Sequence, residues 1–125
     1  MILDTNAVSA ILAGDAAIAK VLEGEARHHL PAIVLGEYRF GLLGSRSRKR
    51  VEPWLERLER ESTVLVVDET TARSYAGVRA EIKARGRPIP ENDVWIAALA
   101  LQYRLPIVSR DGHFDQVSSV RRVSW

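Results

Sequence analysis

The sequence predicts an α/β domain in three layers: a four- to five-stranded, mainly parallel sheet with helices on both faces. Three observations carry this. Short apolar runs at Ile2-Leu3, Thr63-Val64-Leu65-Val66-Val67 and Pro106-Ile107-Val108-Ser109 alternate with longer helical stretches, the pattern of strand–helix–strand units. The strand runs lack the apolar–polar alternation of a sheet with one wet face. At 125 residues and 46% apolar content, the chain can bury roughly two thirds of its unfolded surface, so residues 1–125 are expected to form one domain.

The first element is the strand Ile2-Leu3, stopped by Asp4-Thr5-Asn6. A helix over Ala7 to Ala13 follows and ends at Gly14. Asp15 is a suitable N-cap for a second short helix, Ala16 to Leu22, closed by Gly24. Arg27 to Leu30 forms a second strand, ended by Pro31. From Ala32 the run through Ile33, Val34, Leu35, Tyr38, Phe40, Leu42 and Leu43 is apolar around Gly36-Glu37, which predicts a helix buried on more than one face.

Ser45-Arg46-Ser47-Arg48-Lys49-Arg50 is a basic link, read as a solvated loop or helix start and as a candidate phosphate contact. Val51, Trp54, Leu55 and Leu58 then recur at i, i+3, i+4 and i+7, an apolar stripe that tolerates Pro53 in the first turn. The β-branched run Thr63 to Val67 predicts a third strand buried on both faces. Asp68 or Thr70 caps a long helix whose apolar face is Thr71, Tyr75, Val78 and Ile82, widened by Ala72 and Ala76 and ended by Gly86. Arg87-Pro88-Ile89-Pro90 is a rigid connection to Glu91-Asn92-Asp93. These open a core helix from Val94 to Tyr103. Pro106 to Ser109 is the fourth strand, stopped by Arg110-Asp111-Gly112, and Val120 to Val123 is a candidate edge strand.

Composition removes several chemistries. With no cysteine, thiolate metal sites, cysteine nucleophiles and disulfide frameworks are excluded. No apolar run reaches the roughly 18 residues of a membrane span, and no basic-then-apolar signal segment opens the chain, so a cytoplasmic protein with no membrane partner is expected. Ser9, Ser74 and Ser109 lack a triad context, and there is no glycine-rich phosphate loop. His28 and His29 are neighbours in a strand, face opposite sides and cannot easily share a metal. His113 reads as loop surface.

What remains is acid. Asp4 ends the first strand, Asp111 ends the fourth, Asp93 opens the most buried helix, and Glu37 lies inside an apolar helix where a free carboxylate is costly to desolvate. Singly, each has an ordinary structural explanation: a helix cap for Asp4, a first-turn acid for Asp93, a turn for Asp111-Gly112, a solvated side chain for Glu37. Together at the carboxyl ends of strands, where open α/β sheets bind ligands, they suggest one site. Four carboxylates side by side need countercharge, and all-oxygen ligands select a hard divalent ion, Mg2+ or Mn2+. The chain holds 18 basic against 16 acidic residues. Gathering four acids in one site leaves 18 against 12 elsewhere, a basic body suited to an anionic polymer.

These residues resemble the PIN-domain ribonucleases, and among them the VapC-type toxins of toxin–antitoxin pairs. The matching blocks are Ile2-Leu3-Asp4-Thr5-Asn6, Gly36-Glu37, Pro90-Glu91-Asn92-Asp93-Val94-Trp95-Ile96-Ala97-Ala98 and Ser109-Arg110-Asp111-Gly112-His113-Phe114, in the family's order across nearly the whole chain. The resemblance implies a PIN-like fold and metal-dependent RNA cleavage by Asp4, Glu37, Asp93 and Asp111. Asp4, Asp93 and Asp111 would be metal ligands, Glu37 would hold water or position the nucleophile, and Asn6 and Ser109 would orient the carboxylates. Asp115 suits either the acidic site or a turn.

The resemblance further implies a cognate antitoxin, with a homodimer or a toxin–antitoxin hetero-oligomer as the assembly. The Val51, Trp54, Leu55 and Leu58 stripe is a candidate contact, with core packing as the alternative. Two other readings stay open: a PIN nuclease of RNA maturation without an antitoxin, and a non-catalytic magnesium-binding acidic module of the phosphoaspartate-receiver kind, which would use Asp68.

Overall fold

The computed structural model describes residues 1–125. Its elements are β1 (Ile2–Leu3), α1 (Thr5–Leu12), α2 (Ala16–Val21), β2 (His29–Pro31), α3 (Ala32–Leu43), α4 (Arg48–Glu61), β3 (Thr63–Leu65), α5 (Glu69–Arg85), α6 (Glu91–Tyr103), β4 (Ile107–Val108), a 3-10 turn at Gly112–Gln116 and β5 (Arg122–Val123). All five strands are parallel, in the order β3-β2-β1-β4-β5. Ile2, Leu3, Ile107 and Val108 are fully buried although successive strand residues face opposite ways, so helices cover both faces at the centre of the sheet.

The chain runs outward from β1 through β2 to β3, then returns to the other side of β1 with β4. That reversal is a topological switch point, and the loops after β1 and β4 open there side by side. The register holds them level. Asp4 N donates to Val108 O at 3.3 Å, and Ser109 N donates to Val123 O at 3.0 Å. One cluster of 25 buried residues joins the sheet to the helices, with α6 contributing Val94, Ile96, Ala97, Leu99 and Ala100.

Several expectations are corrected. The third strand ends at Leu65 and is an edge: Val64, Val66 and Val67 are exposed because β3 has a neighbour on one side only. The second strand starts at His29 and includes Pro31, whose missing N–H costs little at the last strand position. Trp54 points to solvent at 57% exposure while Leu55 and Leu58 enter the core, so the stripe on α4 is split between two destinations. Ala72 and Ala76 are exposed and do not widen the α5 face. That face packs on α6 through a stack of Tyr75 on Trp95 with ring centroids 3.9 Å apart.

The two ends of the α5–α6 hairpin differ in their chemistry. Gly86 closes α5 at φ 64°, and Arg104 closes α6 at φ 55°, the only non-glycine residue with positive φ. No helix is long and apolar enough to cross a membrane.

Candidate active site

Asp4 follows β1 directly and is buried, 5% exposed. It occupies the N-cap of α1 but makes no side-chain cap bond. Its Oδ2 instead accepts from Ser109 Oγ at 2.8 Å and Asn6 Nδ2 at 3.0 Å. Asn6 in turn donates to Ser109 Oγ at 3.1 Å, and its Oδ1 accepts from Arg110 N at 3.1 Å. The ends of β1 and β4 are thereby tied through polar side chains. Burial pushes the Asp4 carboxyl above its ordinary value, the Ser109 hydrogen bond opposes this, and the charges of Asp111 and Glu37 add to it.

Asp111 lies past β4 and turns the chain into the 3-10 segment. Its N donates to Ser109 Oγ at 2.9 Å, and its Oδ1 accepts from His113 N at 2.9 Å. Asp93 arrives from the first turn of α6. His113 Nδ1 stands between the two acids, 3.0 Å from Asp93 Oδ2 and 3.0 Å from Asp111 Oδ2. Asp93 carries the largest perturbation in the site: burial pushes it up to about 6, and the charges of Asp4 and Asp111 contribute, against the lowering effect of His113.

Glu37 reaches the same cleft from α3. Its Oε2 accepts from Thr5 Oγ1 at 2.8 Å and its Oε1 from Asn92 Nδ2 at 2.8 Å, so its carboxylate is aimed by the residue after Asp4 and the residue before Asp93. All four expected acids are therefore gathered at one end of the sheet. A donor atom each from Asp93, Asp111 and His113 lies within 4.8 Å of the others, a spacing that suits a cation. The donors are hard oxygens plus one imidazole nitrogen, a set that fits Mg2+ or Mn2+.

Other candidates resolve differently. Asp115 points away and binds Arg122 through two bonds, 2.9 and 2.7 Å, while Arg122 Nη1 donates to Ser109 O at 3.1 Å. The pair braces the loop that carries Ser109 and Asp111, and hydrogen bonding from Arg122 holds Asp115 below its ordinary value. Asp68 is spent on capping α5. It accepts from Thr71 N at 2.9 Å and from Gln102 Nε2 at 3.1 Å, which removes the receiver-type reading. His28 and His29 lie at the opposite end of the sheet, where His29 N donates to Met1 O, and burial holds both imidazoles below their ordinary value.

Thr5, Asn92, His113 and Arg122 were not singled out by residue pattern as site residues. His113 lies on the loop surface as expected, its side chain 46% exposed, but its Nδ1 also reaches Asp93 Oδ2 and Asp111 Oδ2, each at 3.0 Å. The available signal was its position two residues after Asp111, where a side-chain oxygen that accepts the i+2 backbone N–H fixes the local turn. Nothing local reveals the reach to Asp93.

Comparison with known proteins agrees with the geometry. The chain is 32% identical over 121 residues, 89% of its length and 86% of the relative's, to the VapC ribonuclease Y4jK of Sinorhizobium fredii. The structure of VapBC2 from Rickettsia felis bound to a DNA fragment from their promoter has the same fold, with a TM-score of 0.90 at 20% identity over 99% of this chain and 97% of that one. A VapBC-5 toxin–antitoxin structure from Mycobacterium tuberculosis gives a TM-score of 0.80 at 28% identity, covering 99% of this chain and 97% of that one. Residues 1–120 match the PIN domain, and with that extent of agreement in sequence and fold the chain belongs to the PIN-domain family.

Proposed function

We propose that this chain, a single nuclease domain, is the endoribonuclease toxin of a type II toxin–antitoxin pair, hydrolysing RNA phosphodiester bonds in the cytoplasm with Mg2+ or Mn2+. The observation that carries this reading is the meeting of Asp4, Glu37, Asp93 and Asp111 at the switch point of a parallel sheet in a chain whose relatives include VapC ribonucleases. Asp4, Asp93 and Asp111 would hold the ion. When bound, it supplies countercharge to the scissile phosphate and Lewis acidity toward water.

The chain's own groups do the rest. Ser109 and Asn6 hold the Asp4 carboxylate in one orientation, which preorganises it before any ligand arrives. Glu37, anchored at both oxygens by Thr5 and Asn92, is the carboxylate placed to orient an attacking water or accept its proton. Basic residues, including Arg46, Arg48, Lys49 and Arg50, supply sequence-independent attraction for the RNA backbone. An antitoxin partner is supported by the VapBC complexes that share the fold, and association into a toxin–antitoxin hetero-oligomer or a homodimer is proposed on the same footing.

The test is cleavage of structured and unstructured RNAs by the native chain, Asp4→Asn and Asp93→Asn, each with Mg2+, with Mn2+ and with chelator. We expect each substitution to lower the rate by roughly a hundredfold or more and the chelator to abolish it. Unchanged activity in both variants, indifferent to chelator, would end the proposal.

A further inference from the structure

His113 is the one nitrogen base among carboxylates. Its Nδ1 lies 3.0 Å from an oxygen of Asp93 and 3.0 Å from an oxygen of Asp111. Adjacent ligand atoms around an octahedral ion with bonds of about 2.1 Å lie about 3 Å apart, so this spacing suits donors that share one ion as well as it suits hydrogen bonds. The placement is also rigid. His113 N is bonded to Asp111 Oδ1, Asp111 N is bonded to Ser109 Oγ, and the next residue, Phe114, is fully buried. The imidazole therefore stands on a fixed turn although part of its ring meets solvent.

We infer that His113 Nδ1 is itself a ligand of the divalent ion, so that Asp93, Asp111 and His113 form a mixed nitrogen–oxygen set favouring manganese over magnesium. The inference rests on the metal-dependent reading of the site. Its chemical reason is ligand preference: imidazole suits first-row transition ions, whereas Mg2+ takes oxygen donors and keeps several waters. A histidine that only hydrogen-bonds the two acids would confer no such preference.

The experiment uses the full chain, stripped of ions and loaded with one equivalent of Mn2+. Electron spin echo envelope modulation should show nitrogen coupling to the ion, altered by 15N-histidine labelling and lost in His113→Gln. That variant keeps an amide able to donate to both carboxylates, and circular dichroism verifies its fold. Titration calorimetry should show its Mn2+ affinity down about tenfold or more, with Mg2+ affinity much less affected. Mn2+ bound without nitrogen coupling, coupling that survives in His113→Gln, or an unchanged ratio of Mn2+ to Mg2+ affinity overturns the nitrogen ligand and leaves the metal site standing. Failure of the native chain to bind Mn2+ at all overturns both.

Discussion

Asp93 concentrates the electrostatic strain of the site, and its titration makes a stability prediction. Its carboxyl is pushed from 3.8 in the unfolded chain up to about 6 in the folded one, chiefly by burial. The folded state thus binds the proton more tightly. Stability from this group is full below pH about 4 and lost as pH rises through about 6. A shift of this size corresponds to on the order of 2–3 kcal/mol, and it is isolated by comparison with Asp93→Asn, since the partly buried imidazoles of His28 and His29 favour their neutral form and oppose it over the same range. Without divalent ions Asp93→Asn should have the higher urea midpoint at neutral pH, and the native chain should close that gap as pH falls from about 7.5 to about 5. A gap that stays constant over this range would refute the assignment. At the other end of α6, Arg104 holds φ 55°, where a side chain is strained, and Arg104→Gly should raise stability by about 1 kcal/mol in thermal or urea unfolding.

Residue pattern located the four acids because their positions at strand ends and a helix start are local signals. It did not locate their partners. Thr5 and Asn92 bind Glu37 from 32 and 55 residues away, separations that no spacing rule encodes. His113 is the clearest case: a small polar loop is compatible with a solvent-facing imidazole and with one bonded to an acid on another element.

Among elements, α4 shows how one apolar stripe serves two purposes. Leu55 is wholly buried, whereas Trp54, one position earlier, is more than half exposed. Leu55→Ala should cost about 2–5 kcal/mol and Trp54→Ala under about 1 kcal/mol, read from urea midpoints. Periodicity of 3.6 selects a face but does not say how wide the buried part of it is. The same blindness affects β3, whose β-branched run fits a central strand or an edge equally well until its neighbours are known.

The loop between β4 and β5 is an element in its own right, braced by Asp115 and Arg122. Because the Asp115 carboxylate is half exposed, Asp115→Asn should cost less than about 1 kcal/mol and leave RNA cleavage within severalfold of the native rate. Asp111→Asn, four residues earlier, should abolish cleavage. Equal losses from both would place Asp115 in the site after all.

For the whole molecule, strand order is the decisive fact. Alternating strands and helices made a parallel sheet legible, yet only the order β3-β2-β1-β4-β5 brings the loops after β1 and β4 together. Burial of both centre strands was legible too, since Ile2-Leu3 and Ile107-Val108 are apolar without alternation. An ion that binds only the folded cluster stabilises the entire chain by mass action, about 2.7 kcal/mol at a concentration a hundred times its dissociation constant. Millimolar Mn2+ should therefore raise the melting temperature of the native chain and leave that of Asp4→Asn unchanged.

The tie between Asp4 and Ser109 spans 105 residues of sequence. A chain emerging from the ribosome presents the first partner almost at once and the second only after β4 has been made. Until then the buried carboxylate has neither its hydroxyl donor nor the neighbouring acid of the return loop. The pocket of such a nuclease is thus among the last parts of the chain to be completed, since it closes only when the start and the end of the sequence have both been made.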